Sequence, residues 1–257
     1  MKIVVLMKRV PDLVEDLEVD GSGKALATEH LKLTVNEFDD HALEEGLLLK
    51  ETSGGELTVV ALDAADVDKM LFTALAKGAD RVLKITGAAN VEGNTGLAAV
   101  FEEVLSAQEH DLILTGVQAA DDRDGQLGPI VAALLDVPCV EVVTQVEVGE
   151  PGEGMVTVHK EYSGGVVAEL EISLPAVLGI QAARQSPRYA PVSKVRQIQQ
   201  SATIETLAGA GESSGAAAGG GSGFSVVEMT APETGAGAQM LAGVDELMAV
   251  LEAKGVV

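Results

Sequence analysis

The chain has 257 residues, enough for one large α/β domain with an appendage, and 47% of them are hydrophobic although only 2% are aromatic. Its formal net charge of −23 argues against nucleic acid or anionic membrane as partner, and a single cysteine, Cys139, excludes an internal disulfide and a cysteine-built metal site. No apolar run approaches the ~20 residues of a membrane helix, and the opening Met1-Lys2-Ile3-Val4-Val5-Leu6-Met7-Lys8 lacks a secretory signal's features, so we expect a cytoplasmic protein without membrane insertion.

Residues 2–7 form an apolar run with little alternation, the pattern of a strand buried on both faces. Lys8-Arg9-Val10-Pro11-Asp12 follows at its carboxyl end, where ligand sites of α/β sheets lie. Gly21-Ser22-Gly23 reads as a turn. Asn36 with Asp39 three residues on resembles a capping box. It opens a helix to about Glu51, with Phe38, Ala42, Leu43, Gly46 and Leu47 on one face, and Gly54-Gly55 stops it. Residues 56–62 are the second core strand, 65–77 a helix closed by Gly78, and 81–85 a third strand. Asn94-Thr95 caps a helix ending near His110, and 111–115 is the next strand.

The loop Gly116–Pro129 then leads into a helix over 130–135. A strand, a glycine-punctuated loop and a helix start in that order can cradle a phosphate, because free backbone N–H groups and the positive helix end face an anion there. Pro129 suits the first helical turn, and Gly116, Gly125 and Gly128 permit sharp turns or close approach. A plain connection is the competing reading. Asp121, Asp122 and Asp124 are awkward beside a phosphate, with only Arg123 to offset them.

This β-α alternation with short connections specifies an α/β fold, a mostly parallel sheet with helices on both faces. Past residue 138 the pattern changes to strands over 139–148, 155–162 and 166–172, with a hairpin turn at Gly164-Gly165. Residues 174–180 are a further apolar strand, and 181–200 a polar segment. Residues 208–223 are a Gly/Ala/Ser-rich linker that spans roughly 22 Å as a flexible chain. Val244, Leu247, Met248 and Leu251 share one face of a terminal helix too short to be stable alone. We expect a nucleotide-binding domain with hairpin over 1–200, then the linker and a C-terminal arm over 201–257. His30, His41, His110 and His159 are scattered, so neither a catalytic set nor a metal site is assigned. The acidic excess is dispersed along the chain, which fits a salt-loving source.

Several stretches, in order and at matching spacing, resemble the β subunit of the electron transfer flavoprotein family. They are Lys8-Arg9-Val10-Pro11-Asp12, Asn36-Glu37-Phe38-Asp39 with Glu44-Glu45, Thr73 to Arg81, and Gln118-Ala119-Ala120-Asp121 with Gln126 and Gly128. The most specific is Gly164-Gly165, Glu169-Leu170-Glu171 and Leu174-Pro175-Ala176-Val177-Leu178, followed by Pro187-Arg188-Tyr189-Ala190. The resemblance covers residues 1–200 well and 206–257 loosely.

It implies an adenine nucleotide α hydrolase-like domain that buries a structural AMP and pairs with an α subunit holding the redox FAD. The nucleotide contacts it implies are Leu6, Met7 and Lys8; Asn36, Glu37, Phe38 and Asp39; and Leu62. Gly116, Val117, Gln118, Ala119, Ala120, Asp121, Asp122, Arg123, Asp124, Gly125, Gln126 and Leu127 complete them. Lys8 would be the phosphate's countercharge, or else an exposed strand-end lysine; Asn36 serves equally as cap or ligand.

Arg184, Pro187, Arg188, Tyr189 and Val192 fall in a segment resembling the family's recognition loop, which docks acyl-CoA dehydrogenases and related flavin dehydrogenases. Val192 stands where an aliphatic side chain anchors in the partner. Electrons would pass from such a dehydrogenase to the FAD and on to a quinone oxidoreductase, making this chain a carrier subunit and not an enzyme. The terminal helix resembles the arm that wraps the α subunit.

The loop from Asp121 to Pro129 looks closer to microbial and bifurcating members, in which a second FAD replaces AMP and NADH is the donor. The sequence leaves both nucleotides open and leans to AMP. An ATP-pyrophosphatase of related fold needs Ser-Gly-Gly-x-Asp-Ser straight after the first strand; the triplets at Ser53 and Ser163 come far later and lack that continuation. A stress-protein-type binding module would lack the hairpin region and the arm.

Overall fold

In the computed structural model, residues 1–87, 91, 93–122, 124–149, 153–209, 226–232 and 237–256 are described. Arg123 and all but the first two residues of the expected 208–223 linker lie outside the described residues. The chain runs β1 (Lys2–Leu6), β2 (Arg9–Pro11), β3 (Leu33–Val35), α1 (Glu37–Ser53), β4 (Glu56–Leu62), α2 (Val67–Lys77) and β5 (Arg81–Thr86). It continues through α3 (Gly93–Ser106), β6 (Leu112–Gly116), α4 (Leu127–Leu135), β7 (Cys139–Val148), β8 (Met155–Tyr162) and β9 (Val166–Ser173). β10 (Ala176–Ile180), α5 (Val192–Ser201), β11 (Glu205–Ala208) and α6 (Val244–Ala253) complete it. Two compact units emerge, Met1–Leu17 with Glu29–Ser225, and Glu18–Thr28 with Val226–Val257.

In the first unit, nine strands form one sheet in the order β11-β5-β4-β1-β6-β10-β7-β8-β9. Pairing is parallel from β11 to β7 and antiparallel across β7-β8-β9, the expected α/β architecture with its appended hairpin. The apolar run of β1 feeds two cores. Ile3 and Val5 pack with Leu43 and Leu47 of α1 and Leu71 of α2, whereas Val4 and Leu6 pack with Phe101 of α3 and Val131 of α4. Each of these four helices buries one apolar stripe against one sheet face, which is what holds a doubly covered sheet together. From β1 the chain moves one way to β4 and β5, while β6 lies on the other side of β1. The strand order therefore reverses between β1 and β6, and open α/β sheets bind ligands at such a crevice.

Several local expectations are corrected. Asn36 precedes α1 at the cap position, but it caps no backbone N–H; its amide donates to Asp39 and to the Gln118 carbonyl. Both side chains are drawn into the crevice, so no capping box forms. α1 runs to Ser53 and ends at Gly54, whose φ of 65° is left-handed and whose position has open space around it. α3 runs from Gly93 to Ser106, so Asn94 lies inside the helix, where it hydrogen-bonds Asp124.

The polar segment 181–200 closes in helix α5, which packs on α2 without burying any residue. β11, unforeseen in the sequence, pairs with β5 at the sheet edge. There Arg81 donates to both Glu205 carboxylate oxygens, at 3.1 and 2.8 Å. In the second unit, Val19 and Leu26 bridge across the turn at Gly21–Gly23. Helix α6 buries none of its residues there and keeps Val244, Leu247 and Met248 exposed.

Candidate nucleotide site at the strand switch point

The crevice between the ends of β1 and β6 is built around Asp39 in the first turn of α1. Its Oδ2 accepts the Lys8 N–H at 2.8 Å, and its Oδ1 accepts the Gly116 N–H at 3.1 Å and the Asn36 amide at 2.9 Å. One carboxylate thus ties together the two strand ends where the chain splays apart. Burial pushes Asp39 up to about 7, against the pull of these N–H donors and of the Lys8 charge.

Lys8 extends into the same crevice. Its Nζ lies 2.8 Å from Asp121 Oδ1 and 2.6 Å from Asp122 Oδ2, on the loop after β6. Burial disfavours its charge, but the two carboxylates outweigh that and raise its pKa. Asp122 also folds the loop on itself, since its Oδ1 accepts the Ala119 N–H at 3.2 Å. Gly125 closes the loop with φ of 62°, and a Cβ there would meet the Val117 carbonyl oxygen at 2.7 Å. The loop then enters α4, whose first-turn amides, Leu127 and Gly128, have no intrahelical acceptor.

These parts suit a phosphate: a lysine ammonium, two first-turn amides, and glycine positions that tolerate no side chain. The phosphate must exchange with Asp121 or Asp122 on Lys8, because both carboxylates already hold it. Beside this crevice, and sharing Asn36, Gln118 and Ala119 with it, lies an open cleft of about 330 Å³. Val10, Pro11, Val35, Phe38 and Ala120 give it mainly apolar walls, suited to one edge of a flat ring system such as a flavin.

The remaining residues of the expected nucleotide set are placed as follows. Leu6 and Met7 bury their side chains in opposite cores and can offer a ligand only backbone. Glu37 is exposed beside the open cleft. Val117 lines the crevice and donates its N–H to the Ile180 carbonyl. Asp124 accepts from Asn94 and from the Gln126 N–H. Leu62 packs against the α3 side of the sheet and lines neither concavity.

The segment 181–191 is held on α1 by two glutamates that sequence reasoning assigned no role. Glu45 accepts the N–H groups of Val146 and Arg184, each at 3.1 Å, and Arg184 Nε at 2.9 Å. Glu44 takes Gln185, the Arg188 N–H and the Arg188 guanidinium. His41 Nδ1 accepts the Ala183 N–H. Two charged residues set between Leu43 and Gly46 on an inward helix face were the signal available in the sequence. Pro187 is half-buried, while Tyr189 and Val192 beyond it stand 79% and 58% exposed.

A further carboxyl group, Glu141, is the third residue of β7 and lies beside the carboxyl ends of β6 and β10. Burial pushes it up to about 7, and Lys160 Nζ bonds the Glu141 carbonyl oxygen at 2.7 Å instead of its carboxylate. Burial and this neighbour also push the Cys139 thiol up to about 12, which leaves it unreactive at neutral pH. The unfolded glutamate titrates near 4.5, so between 4.5 and about 7 the fold holds more protons than the unfolded chain, and stability falls as pH rises through that window. Glu141→Gln is therefore expected to raise the unfolding free energy at pH 8 by about 1–3 kcal/mol and to change it little at pH 5. Urea titrations at both pH values check this; an equal effect at the two would refute it.

Comparison with known proteins agrees with this architecture. Residues 24–210 match the electron transfer flavoprotein domain. The chain is 35% identical over 207 residues to the electron transfer flavoprotein subunit beta of Methylophilus methylotrophus, covering 79% of this chain and 76% of that one. Its counterpart in Bacillus subtilis (strain 168) is 33% identical over 196 residues, 74% of this chain and 72% of that one. The mitochondrial subunit beta of Arabidopsis thaliana aligns over 258 residues at 30% identity, covering 96% of each chain. With its domain matched over most of its length and its curated relatives carrying one description, the chain belongs to the electron transfer flavoprotein β-subunit family.

Proposed function

We propose that this chain pairs with an electron transfer flavoprotein α subunit, holds a structural AMP at the β1–β6 switch point, and helps enclose the α subunit's FAD. The observation that carries the reading is Lys8, poised between Asp121 and Asp122 beside the free amides of α4. Lys8, Asn36, the loop from Gly116 to Gln126, and Leu127 would hold the nucleotide. The phosphate would replace a carboxylate on Lys8 and take the first-turn amides, and AMP supplies no redox chemistry there. The FAD, when bound, stores the electrons. The apolar cleft walled by Val10, Val35 and Phe38 shields one side of it, and exposed Leu13 and Val14 at its rim call for a covering partner.

In this reading the subunit has no catalytic residues and works in the cytoplasm. It receives electrons from a flavin dehydrogenase of the acyl-CoA dehydrogenase type docked on the Arg184–Val192 segment, and the complex passes them to a quinone oxidoreductase. Tyr189 and Val192 are free to insert into such a partner because Arg184 and Arg188 are committed to α1.

One observation favours a second reading. The crevice and the open cleft share lining residues, so a ligand longer than AMP would pass from one to the other. That ligand would be a second FAD, reduced by NADH in a bifurcating complex.

The test is to co-express the chain with its α partner and quantify the nucleotides released on denaturation. One FAD and one AMP per heterodimer supports the shuttle; two FAD and no AMP moves the assignment to bifurcation. Lys8→Gln removes a charge-assisted contact and should weaken AMP retention about 10- to 100-fold while leaving the FAD count unchanged. Full AMP retention in that variant would remove Lys8 from the site.

A further inference from the structure

On the sheet face opposite α1, beneath the amino end of α4, lies a group of polar atoms that the proposed function does not use. Thr115, Gly179 and Glu141 stand side by side in register across β6, β10 and β7. Gly179 has no side chain, so the Glu141 carboxylate lies across it, and a Cβ there would collide with that carboxylate. Thr115 is 1% exposed, and neither its Oγ1 nor Glu141 Oε2 has a hydrogen-bond partner among the described residues.

Both side chains converge on Gly128 in the first turn of α4. A Cβ on Gly128 would lie 2.5 Å from Glu141 Oε1 and 3.0 Å from Thr115 Oγ1. The next residue along β7, Val142, has φ of 65°, a conformation that strongly disfavours β-branched side chains. The register shifts there, so that Glu141 pairs with Gly179 and Val143 with Ile180. This bulge keeps Glu141 on the α4 face and returns Val143 to the core beside α1.

Resting on the nucleotide reading above, we propose that Glu141 makes anion binding at the amino end of α4 proton-dependent. Ionised, it sets a negative charge against the same amides and helix-end dipole that receive a phosphate. Protonated, it donates to Thr115 Oγ1, satisfies both orphaned oxygens, and removes that charge from beside the helix end. Affinity for a phosphate group therefore rises as pH falls through neutrality, consistent with the burial that pushes Glu141 up to about 7.

The groups facing Glu141 are few. Cys139 on its own strand lies 3.5 Å from Oε1, and Lys160 of β8 bonds its main chain. β6, β10 and α4 present Thr115, Gly179 and Gly128, none of which titrates in this range. Asp39, on the α1 side of the crevice, is also raised to about 7, so the pH effect must be separated by substitution.

The test is calorimetric titration of the full chain, freed of nucleotide, with AMP and with inorganic phosphate at a series of pH values from 6 to 8. Wild type, Glu141→Gln and Thr115→Val are compared. The ligand's own titration is common to all three and cancels in the ratios between them. From pH 6 to pH 8, wild type should lose about 3- to 30-fold more affinity than Glu141→Gln. Thr115→Val, lacking the acceptor for the protonated acid, should move the midpoint to lower pH. Equal pH dependence in wild type and Glu141→Gln overturns the role of Glu141 and leaves the nucleotide site standing. An unmoved midpoint in Thr115→Val overturns it as well, even where Glu141→Gln fails to fold. Absence of binding of both AMP and phosphate by wild type across the series removes the anion site at α4 and this inference together.

Discussion

Arg188→Leu is expected to lower the unfolding free energy by about 3–5 kcal/mol at pH 7, the range for stripping the partner from a buried charge. The Glu44 side chain is 0% exposed, and Arg188 supplies its main countercharge through Nε at 3.0 Å and Nη2 at 2.9 Å. Burial favours protonation of Glu44, but the Arg188 and Gln185 donors outweigh it and hold its pKa below the usual carboxylate range. That stabilisation is present above the unfolded value of 4.5 and is lost as pH falls through the folded value.

In the variant, Glu44 keeps only Gln185 and the main-chain N–H of residue 188, so it protonates more readily and the deficit shrinks toward acid pH. Urea unfolding at pH 7 and pH 5 should show this. The double variant Glu44→Gln with Arg188→Leu should recover most of the loss, because no buried charge remains. A single-variant cost below about 1 kcal/mol, or a double variant as unstable as the single, would refute the account. Segment 183–188 should loosen with the same change, since Glu44 and Glu45 tie it to α1.

Gly116→Ala is the second large effect, about 3 kcal/mol of stability together with loss of the nucleotide proposed for the crevice. A Cβ at this position would stand 2.5 Å from Asp39 Oδ1, 2.7 Å from Phe38 Cβ and 2.9 Å from the Asp39 nitrogen. Two of those atoms are fixed to the backbone of the first turn of α1 and cannot swing aside. The turn must move, and the Asp39 bonds to Lys8 and Gly116 that join the strand ends go with it. Gly21→Ala is the control, since none of the described residues lies within 4 Å of a Cβ there, and it should change stability by no more than about 0.5 kcal/mol. Thermal unfolding and nucleotide quantification on both variants decide the matter. A Gly116→Ala protein that retains the nucleotide found with wild type would show that the crevice tolerates a shifted α1.

Neighbouring residues alone specify the strands of the parallel sheet other than β11, the four helices that cover it, the hairpin and the loop after β6. The reason is locality: a doubly buried strand such as Lys2–Leu6, the glycine stop at Gly54 and the turn at Gly164-Gly165 are written in neighbouring residues. Tertiary structure decided the rest. Asp39 reads locally as half of a capping box, yet its partners Lys8 and Gly116 are 31 and 77 residues away. Helix α5 carries only a thin apolar stripe, Val192, Val195 and Ile198, and strand β11 only Leu207; they take shape against α2 and beside β5. Glu44 and Glu45 look solvated until segment 183–188 returns across α1 to neutralise them. Glu141 looks like an exposed strand residue until the bulge at Val142 and the bare backbone of Gly179 turn it inward beneath α4. Pattern reports which face of an element is apolar, but a buried charge is placed by whatever distant donor the fold brings to it.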